Sequence, residues 1–252
     1  MNDYGSSGLS WSEKQKVYWN SIAHFYDTTY SNFWYHREDA GTLAALKAVI
    51  PERTVSVLEL ACGTGLGYSM CKQFIPDMKY IGLDLADNML AGFRRNYPDR
   101  TYQLLLQSMS NLDELEPASF DAVICIYTSA SFCDDPGRLV DAVYRLLRPN
   151  GCAFLSFVGR WSFRRLIHLK FSRIERFQTR GIRNPGFYVP AWVLSKRHIL
   201  QIAKAAGFAQ VNVSGQSIFG GIVQLPWLWP FDCYLSRLLP DLCHTLNLTA
   251  NK

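Results

Sequence analysis

The stretch Val55-Ser-Val-Leu-Glu-Leu-Ala-Cys-Gly-Thr-Gly-Leu-Gly67 decides how this chain is read, because in it a strand turns into a helix through glycines. Val55, Val57, Leu58 and Leu60 make a short apolar run rich in β-branched residues, the pattern of a strand buried on both faces of a parallel sheet. From Leu66 to Ile75 the apolar residues Leu66, Met70, Cys71 and Phe74 recur at helical spacings, which predicts a helix. Gly63 and Gly65 then occupy the turn. Such a turn aims backbone N–H groups and the positive end of a helix at a ligand, and glycine keeps side chains out of the way. The loop is a candidate nucleotide site.

Two details narrow the ligand. A dinucleotide fingerprint would place its third glycine at position 68, which is Tyr68; the glycines run 63, 65, 67 instead. Glu59 ends the strand close to where a pyrophosphate would lie, and like charges in a poorly solvated turn repel. A nucleoside carrying an ammonium and a sulfonium suits an acid there, with its carboxylate taken by the N–H groups of the turn. That description fits S-adenosylmethionine.

Glu59-Leu-Ala-Cys-Gly-Thr-Gly65 resembles the first motif of the class I S-adenosylmethionine-dependent methyltransferases, of the broad group that methylates small molecules, with Ala61 where a glycine is more usual. The resemblance covers roughly residues 20 to 225. It implies an α/β fold of the Rossmann-like kind: a doubly wound, seven-stranded, mostly parallel sheet with the last strand antiparallel, an N-terminal helical lid and an insertion after strand 5. It also implies S-adenosylmethionine as cofactor, held by Glu59, Ala61, Cys62, Gly63 and Gly65.

The later motifs follow at suitable distances. Lys79-Tyr-Ile-Gly-Leu-Asp84 reads as the second strand, and Asp84 lies 21 residues past Gly63, where a βαβ unit delivers a carboxylate to ribose hydroxyls. The rival role for Asp84, capping the helix Ala86 to Asn96, suits Asp87 better. Asp84-Leu-Ala-Asp-Asn-Met-Leu90 is similar to the family's second motif and adds Leu85 and Met89 to the cofactor set. A third strand, Thr101 to Leu106, leads into Gln107-Ser108-Met109, where the family usually has an acid for the adenine amino group. Ser108 stands in that place, so its hydroxyl or Gln107 is left to accept the bond.

Phe120 to Ile126 is the fourth strand, and Tyr127 to Asp134 beyond its carboxyl end should face the methyl group, with Tyr127 counted among the cofactor residues. The loop is not of the Asn-Pro-Pro-Tyr type, which disfavours methylation of a nucleic-acid base amine or a glutamine amide. A helix from Pro136 to Leu147 closes in Arg148-Pro-Asn-Gly151, where Asn150 replaces a more usual glycine and tolerates the left-handed region. Cys152 to Val158 is strand five; Gly159 to Pro190 is an insertion rich in Arg, Phe and Trp. A helix from Ser195 to Ala206, a sixth strand from Gln210 to Ser214 and a seventh from Gly221 to Leu225 complete the expected core, and a helix over Phe231 to Leu239 is expected in the tail.

At the other end, residues 1–15 read as a loose arm, and a helix is expected over Arg37 to Val49. Between them Ala23-His-Phe-Tyr-Asp27 resembles the A-x-x-Y-D element that closes over the cofactor, which brings in Tyr26; the same aromatics also suit a helix packed on the sheet.

At 252 residues the chain suits one methyltransferase domain: lid and helices at 1–50, cofactor core at 51–158, a substrate-side insertion at 159–192, the end of the core at 193–225 and an aromatic tail at 226–252. Apolar residues make up 48% and charged residues 19%, a globular balance that argues against disorder. Seven cysteines without a C-x-x-C pair read as reduced thiols, and the polar start lacks a signal-peptide core, so the expected location is cytoplasmic. The apolar stretch Ile222 to Leu235 is interrupted by Pro226 and Pro230 and is too short to span a bilayer. Five histidines show no ligand spacing, so no metal is expected. Arg160 to Arg183 holds eight Lys or Arg against Glu175, a local +7 that leaves about −2 for the rest of a chain with net charge +5.

The leading expectation is methyl transfer by in-line displacement to an oxygen, or to a carbon or nitrogen, of a small apolar or aromatic acceptor. Where a general base is needed, His24 in the lid and His168 in the insertion are the candidates. The rival readings are a cofactor-binding protein without methyl transfer, and a nucleic-acid methyltransferase using the basic insertion as a phosphate track. Peripheral contact with an anionic membrane is a further use for that charge; the oligomeric state is not legible.

Overall fold

The computed structural model describes residues 8–99, 101–178, 188–220 and 222–252. Its centre is the run β1 (Ser56–Leu60), all five residues buried, flanked in parallel by β2 (Lys79–Asp84) and β4 (Phe120–Cys125). β3 (Tyr102–Leu106) joins β2 in parallel, and β5 (Leu147–Gly159) joins β4 in parallel, giving the order β3-β2-β1-β4-β5. Order reverses between β1 and β4, so the crevice beyond their carboxyl ends is where an open α/β sheet binds ligands.

The connecting helices α4 (Leu66–Lys72), α5 (Asp87–Asn96) and α6 (Pro136–Leu146) bury one face each. Leu139, Val140, Val143 and Leu146 of α6 join Leu58, Val123 and Leu155 in one apolar layer; Met70, Leu90 and Phe93 join Val57, Ile124 and Phe154 in the other. Burial on both faces is what makes these strands read as unbroken apolar runs. Asn150 adopts φ +64, the left-handed turn expected of it.

The far side of the sheet differs from the sequence reading in one element. β8 (Gln210–Gln216) forms, following helix α8 (Lys196–Ala205). The antiparallel strand beside it, however, is β9 (Thr245–Asn251), which pairs with both β5 and β8; residues 222–225 are not a strand. The reason is local. Thr245-Leu-Asn-Leu-Thr-Ala-Asn251 alternates polar and apolar with period two and buries Leu246, Leu248 and Ala250, while Ile222, Val223 and Leu225 stay exposed; Gly221 lies outside the described residues. The last core strand therefore comes from the segment read as an aromatic tail.

The N-terminus is also more ordered than a loose arm. A capping box between Ser10 and Glu13 starts α1 (Trp11–Ile22), so residues 11–15 are helical; residues 1–7 lie outside the described residues. After α2 (Tyr26–Thr29) comes α3 (Phe33–Val49), begun by the Asn32 side chain four residues earlier than expected.

The insertion contains α7 (Phe163–Ile167) and an antiparallel pair, β6 (Ile174–Gln178) with β7 (Tyr188–Leu194). Arg180, Arg183 and Phe187 lie outside the described residues. β7 pairs with β5 at Val158 and Gly159. β9 already occupies one edge of β5 there, and β4 stops pairing at Leu155, so β7 takes the edge β4 vacates and stands over the carboxyl end of β4. α1 lies against β7: the Gln15 side-chain amide donates to the Pro190 carbonyl at 2.7 Å and the Trp11 and Trp192 rings stack at 5.8 Å. Lid and insertion thus roof the crevice together. Among the described residues no helix is long and apolar enough to cross a membrane.

Gly159 is where insertion, β5 and tail meet. Its N–H donates to the His244 carbonyl at 2.7 Å, and a Cβ there would sit 2.2 Å from the Cys243 carbonyl oxygen. Backbone cannot give way as a side-chain tip can, so Gly159→Ala should lower stability by about 1–3 kcal/mol. Urea unfolding checks this; an unchanged midpoint would show that the tail does not need the close approach.

Candidate functional site

The glycine loop, residues 61–65, is built by backbone strain and by one carboxylate. Ala61 adopts φ +51, Gly63 φ +53 and Gly65 φ +100. A left-handed alanine costs of order 1–2 kcal/mol, a physical reason for glycine at that place. Asp84, buried at the end of β2, accepts the Gly63 N–H at 2.9 Å with one oxygen and the Ala86 N–H at 2.8 Å with the other. Burial pushes its carboxyl up to about 6, opposed by those N–H donors. Each oxygen keeps a lone pair for a ligand hydroxyl. The helix α5 is thereby started at Ala86 by Asp84, and Asp87 sits inside its first turn without a capping bond.

A cleft of about 590 Å³ opens beside this loop, lined by Tyr26, Ala61, Gly63, Asp84, Leu85, Met89, Gln107, Ser108 and Met109 together with Gln15, Trp19, Ser129 and Phe132. Nine residues expected at the cofactor are thus brought together. Apolar flanks from Leu85, Met89 and Met109 suit a flat base, Asp84 suits vicinal hydroxyls, and the polar edge at the end of β3 suits a ring amine. At that edge the Gln107 side-chain nitrogen donates to the Asn111 carbonyl, which leaves the Gln107 amide oxygen as acceptor, while Ser108 Oγ receives the Ser110 N–H at 3.2 Å. The donor set fits an adenosyl group.

Glu59, Cys62, Gly65 and Tyr127 are placed elsewhere. Glu59 is 1% exposed, receives the Tyr80 hydroxyl, and fills the space left by Gly67, where a Cβ would meet Glu59 Oε1 at 2.1 Å. Burial holds its carboxyl up at about 8. Its position places it under the loop, against the expected contact with a ligand ammonium. Cys62 packs its sulfur on Gly82, and a Cβ on Gly65 would run into Tyr97 and Phe93.

The lid element works in two parts. Tyr26 lines the cleft, while Asp27 reaches the loop itself: it accepts the Thr64 hydroxyl at 2.6 Å and the Asn96 side-chain amide at 3.0 Å. Asn20 of α1 adds bonds to Asp87 and to the Asn88 N–H.

A second, larger chamber of about 1390 Å³ shares Trp19, Tyr26, Ser129 and Phe132 with the cleft and so adjoins it. Tyr18, Tyr30, Tyr35, Tyr127 and Phe177 line it, with Glu38, Asp39, Arg164 and His244 as its charged or titratable groups. Tyr127 belongs to this wall. It and Thr128 both have left-handed backbones, φ +53 and φ +59, and the Tyr127 hydroxyl is buried without a hydrogen-bond partner. Consecutive strain of this kind is concentrated at functional loops.

Neither proposed base reaches the two cavities. His24 is exposed and packs edge-on against Phe25 at 4.6 Å, because its place at the end of α1 points it to solvent. His168 is exposed past the end of α7 and lines a smaller pocket that shares Arg164, Phe177 and His244 with the chamber but is not itself part of the chamber wall. The histidine that lines the chamber is His244, which the sequence reading passed over because nothing near it in the chain marks a site. Two backbone bonds hold it, its carbonyl to Gly159 and its N–H to the Ser217 carbonyl at 2.7 Å, and its Nδ1 is buried without a partner. Burial, with the positive charges of Arg164 and Arg165, holds the imidazole down at about 4. It is neutral at neutral pH.

Residues 58–155 match the family described as Methyltransferase domain. Over 170 residues the chain is 32% identical to the ubiquinone biosynthesis O-methyltransferase of Neisseria meningitidis, covering 64% of this chain and 66% of that protein. The chain belongs to the S-adenosylmethionine-dependent methyltransferases. It is also 30% identical over 135 residues to the demethylmenaquinone methyltransferase of Chlorobaculum tepidum, covering 53% of this chain and 52% of that one, so it spans about half the length of that relative. In fold it is similar to a methyltransferase of Thermotoga maritima described as a possible histamine N-methyltransferase, with TM-score 0.61 and 22% identity over 93% of this chain and 99% of the other.

For this methyltransferase two outcomes follow. Asp84→Asn should weaken S-adenosylmethionine binding by about 1–3 kcal/mol, by mispairing ribose hydroxyls, and calorimetry reads it directly. The second concerns pH. Because the folded Glu59 carboxyl lies near 8 against 4.5 when unfolded, its contribution is full below about 4.5 and is lost as pH rises through about 8. Asp84, near 6, and Glu38, near 7, slope the same way. Glu59→Gln should therefore leave a visibly shallower fall of melting temperature with rising pH; an identical slope would mean Glu59 is ionised in the fold.

Proposed function

We propose that this chain transfers a methyl group to an oxygen of a small, largely apolar acceptor carrying a flat ring. The observation behind this reading is the pair of adjoining cavities: one with the donor set for an adenosyl group, the other walled by aromatic rings, which give large contact area to a planar molecule. The names of its relatives, in ubiquinone biosynthesis and in demethylmenaquinone methylation, agree with ring-bearing acceptors.

The bound cofactor supplies a methyl group on a sulfonium, already activated for displacement. The chain's residues do the rest by placement. Trp19, Tyr26, Ser129 and Phe132, shared by both cavities, set where the two reactants meet, and holding them in line can be worth roughly 7–11 kcal/mol of barrier. His244 lines the chamber and takes the acceptor's hydroxyl proton as the new oxygen–carbon bond forms, provided its buried, unpartnered Nδ1 turns to the acceptor, and Arg164 favours the oxyanion. Burial is the main cause that holds His244 down, and the anion offsets only the smaller part that comes from Arg164 and Arg165.

A nitrogen acceptor is the second reading, favoured by Glu38 and Asp39 beside Tyr30 and Tyr35, a combination that suits an ammonium. Incubation with phenol and amine panels, followed by mass spectrometry for one added methyl, separates the two. His244→Gln should lower kcat on a phenol by about 10²-fold, with cofactor affinity kept and with partial rescue of His244→Ala by imidazole. Full turnover in both variants would remove His244 from the mechanism.

A further inference from the structure

Helix α9 (Trp229–Leu238) is amphipathic the wrong way round for a protein surface in water. Its inward face is polar: Asp232 is 1% exposed and accepts the N–H groups of Ile218 and Phe219 at 2.9 and 2.7 Å, and Ser236 is buried behind it. Its outward face is apolar. Phe231 is 61% exposed, Tyr234 64% and Leu238 58%, and Trp227, one turn earlier at the same spacing, is 65% exposed. Four large side chains in one stripe on water is a cost that a fold carries when something apolar meets the stripe.

The charges around α9 say what meets it. Arg237 is exposed on α9, and Arg37 of α3 is exposed, with its guanidinium 5.3 Å from the ring centroid of Phe33, itself half exposed. The carboxylates of these same elements are turned away: Asp232 lies inside, Glu38 receives the Trp34 indole N–H at 3.0 Å, and Glu38 and Asp39 face the chamber. Cations outward, acids inward and an aromatic stripe between them is complementary to an anionic lipid surface.

The stripe also stands next to the chamber. Trp34 of α3 packs on Trp229 of α9 at 5.1 Å, and Asn32 donates to Gln224 at 3.1 Å, while Gln224, Tyr30 and Tyr35 line the chamber wall. The exposed apolar residues Leu169 and Phe171, with Arg173, follow α7, whose Phe163 meets Phe219 at 6.0 Å.

We infer that the outward face of α9, with Trp227, docks this protein on an anionic membrane surface, beside the chamber that would draw a lipid-soluble acceptor from it. The second half of that statement rests on the proposed acceptor class; the docking itself does not.

The test is co-sedimentation of the full chain, without cofactor or acceptor, with vesicles of phosphatidylcholine alone and of phosphatidylcholine mixed with phosphatidylglycerol. Binding should be strong only to the mixed vesicles, should weaken at high salt, and should fall about tenfold or more in the Trp227→Ser, Phe231→Ser double variant. Cofactor binding by calorimetry should be unchanged in that variant, which shows that it is folded. Tryptophan fluorescence should be quenched by bromine-labelled lipid in the wild type and much less in Trp227→Phe. Absence of binding to the mixed vesicles, or equal binding by the double variant, would overturn the inference. So would a dimer that the double variant abolishes, since the stripe would then be covered by a second copy. None of these results bears on methyl transfer, which is read separately on soluble acceptors.

Discussion

The carboxylate of Asp84 is the joint on which the site depends. One buried side chain ties the Gly63 N–H of the loop after β1 to the Ala86 N–H at the start of α5, so the turn and the helix it faces cannot move apart without freeing two donors. An unmade bond of this kind costs of order 1–3 kcal/mol in a place water cannot fill. Ala61 in a left-handed backbone is tolerable only with such support. Asp84 also lines the cleft, so the group that builds the loop stands where a ligand would meet it.

Around this joint three separate pieces of chain bring residues to the chamber. The lid brings Tyr26 in and latches through Asp27 to Thr64; β7 occupies the edge of β5 that β4 leaves free and carries Phe177 in by way of β6; the 243–245 segment brings His244. Each piece is fixed to the parallel core by backbone pairing or by a buried side chain, and none forms the core. The chamber wall can therefore vary by changing these pieces while the loop after β1 stays as it is.

The distribution of charge follows the same division. Burial raises Glu38, Asp84 and Glu59 and lowers His244, so at neutral pH Glu59 and His244 are uncharged while Asp84, near 6, stays mostly ionised. Arg165 is buried against Glu175, which leaves only part of the basic segment available to a partner. The local +7 read from the sequence is thus partly a structural ion pair and partly surface.

How much was legible depends on whether the signal was local. The strand-loop-helix at Val55 to Gly67 and Asp84 at the end of its strand could be read directly, because steric rules for a turn and the reach of one βαβ unit act over a few tens of residues, whereas the Tyr-Asp pair at 26–27 was legible only through its resemblance to a family element. β9 was also written locally, in the alternation from Thr245 to Asn251, but it lies after a helix and far from its partners, so nothing nearby called for a strand. His244 and the inverted face of α9 were beyond any sequence pattern. A histidine becomes a buried, unpartnered acceptor only when Gly159 and Ser217 pin its backbone from two distant segments, and a helix reveals which face is outward only when its polar side finds Ile218 and Phe219. The sequence alone determined the parallel core and the glycine turn after its first strand, because those follow from local sterics and burial. Tertiary structure decided the aromatic-walled chamber, its histidine and the exposed aromatic stripe, because each is a contact between segments whose separation the chain order does not encode.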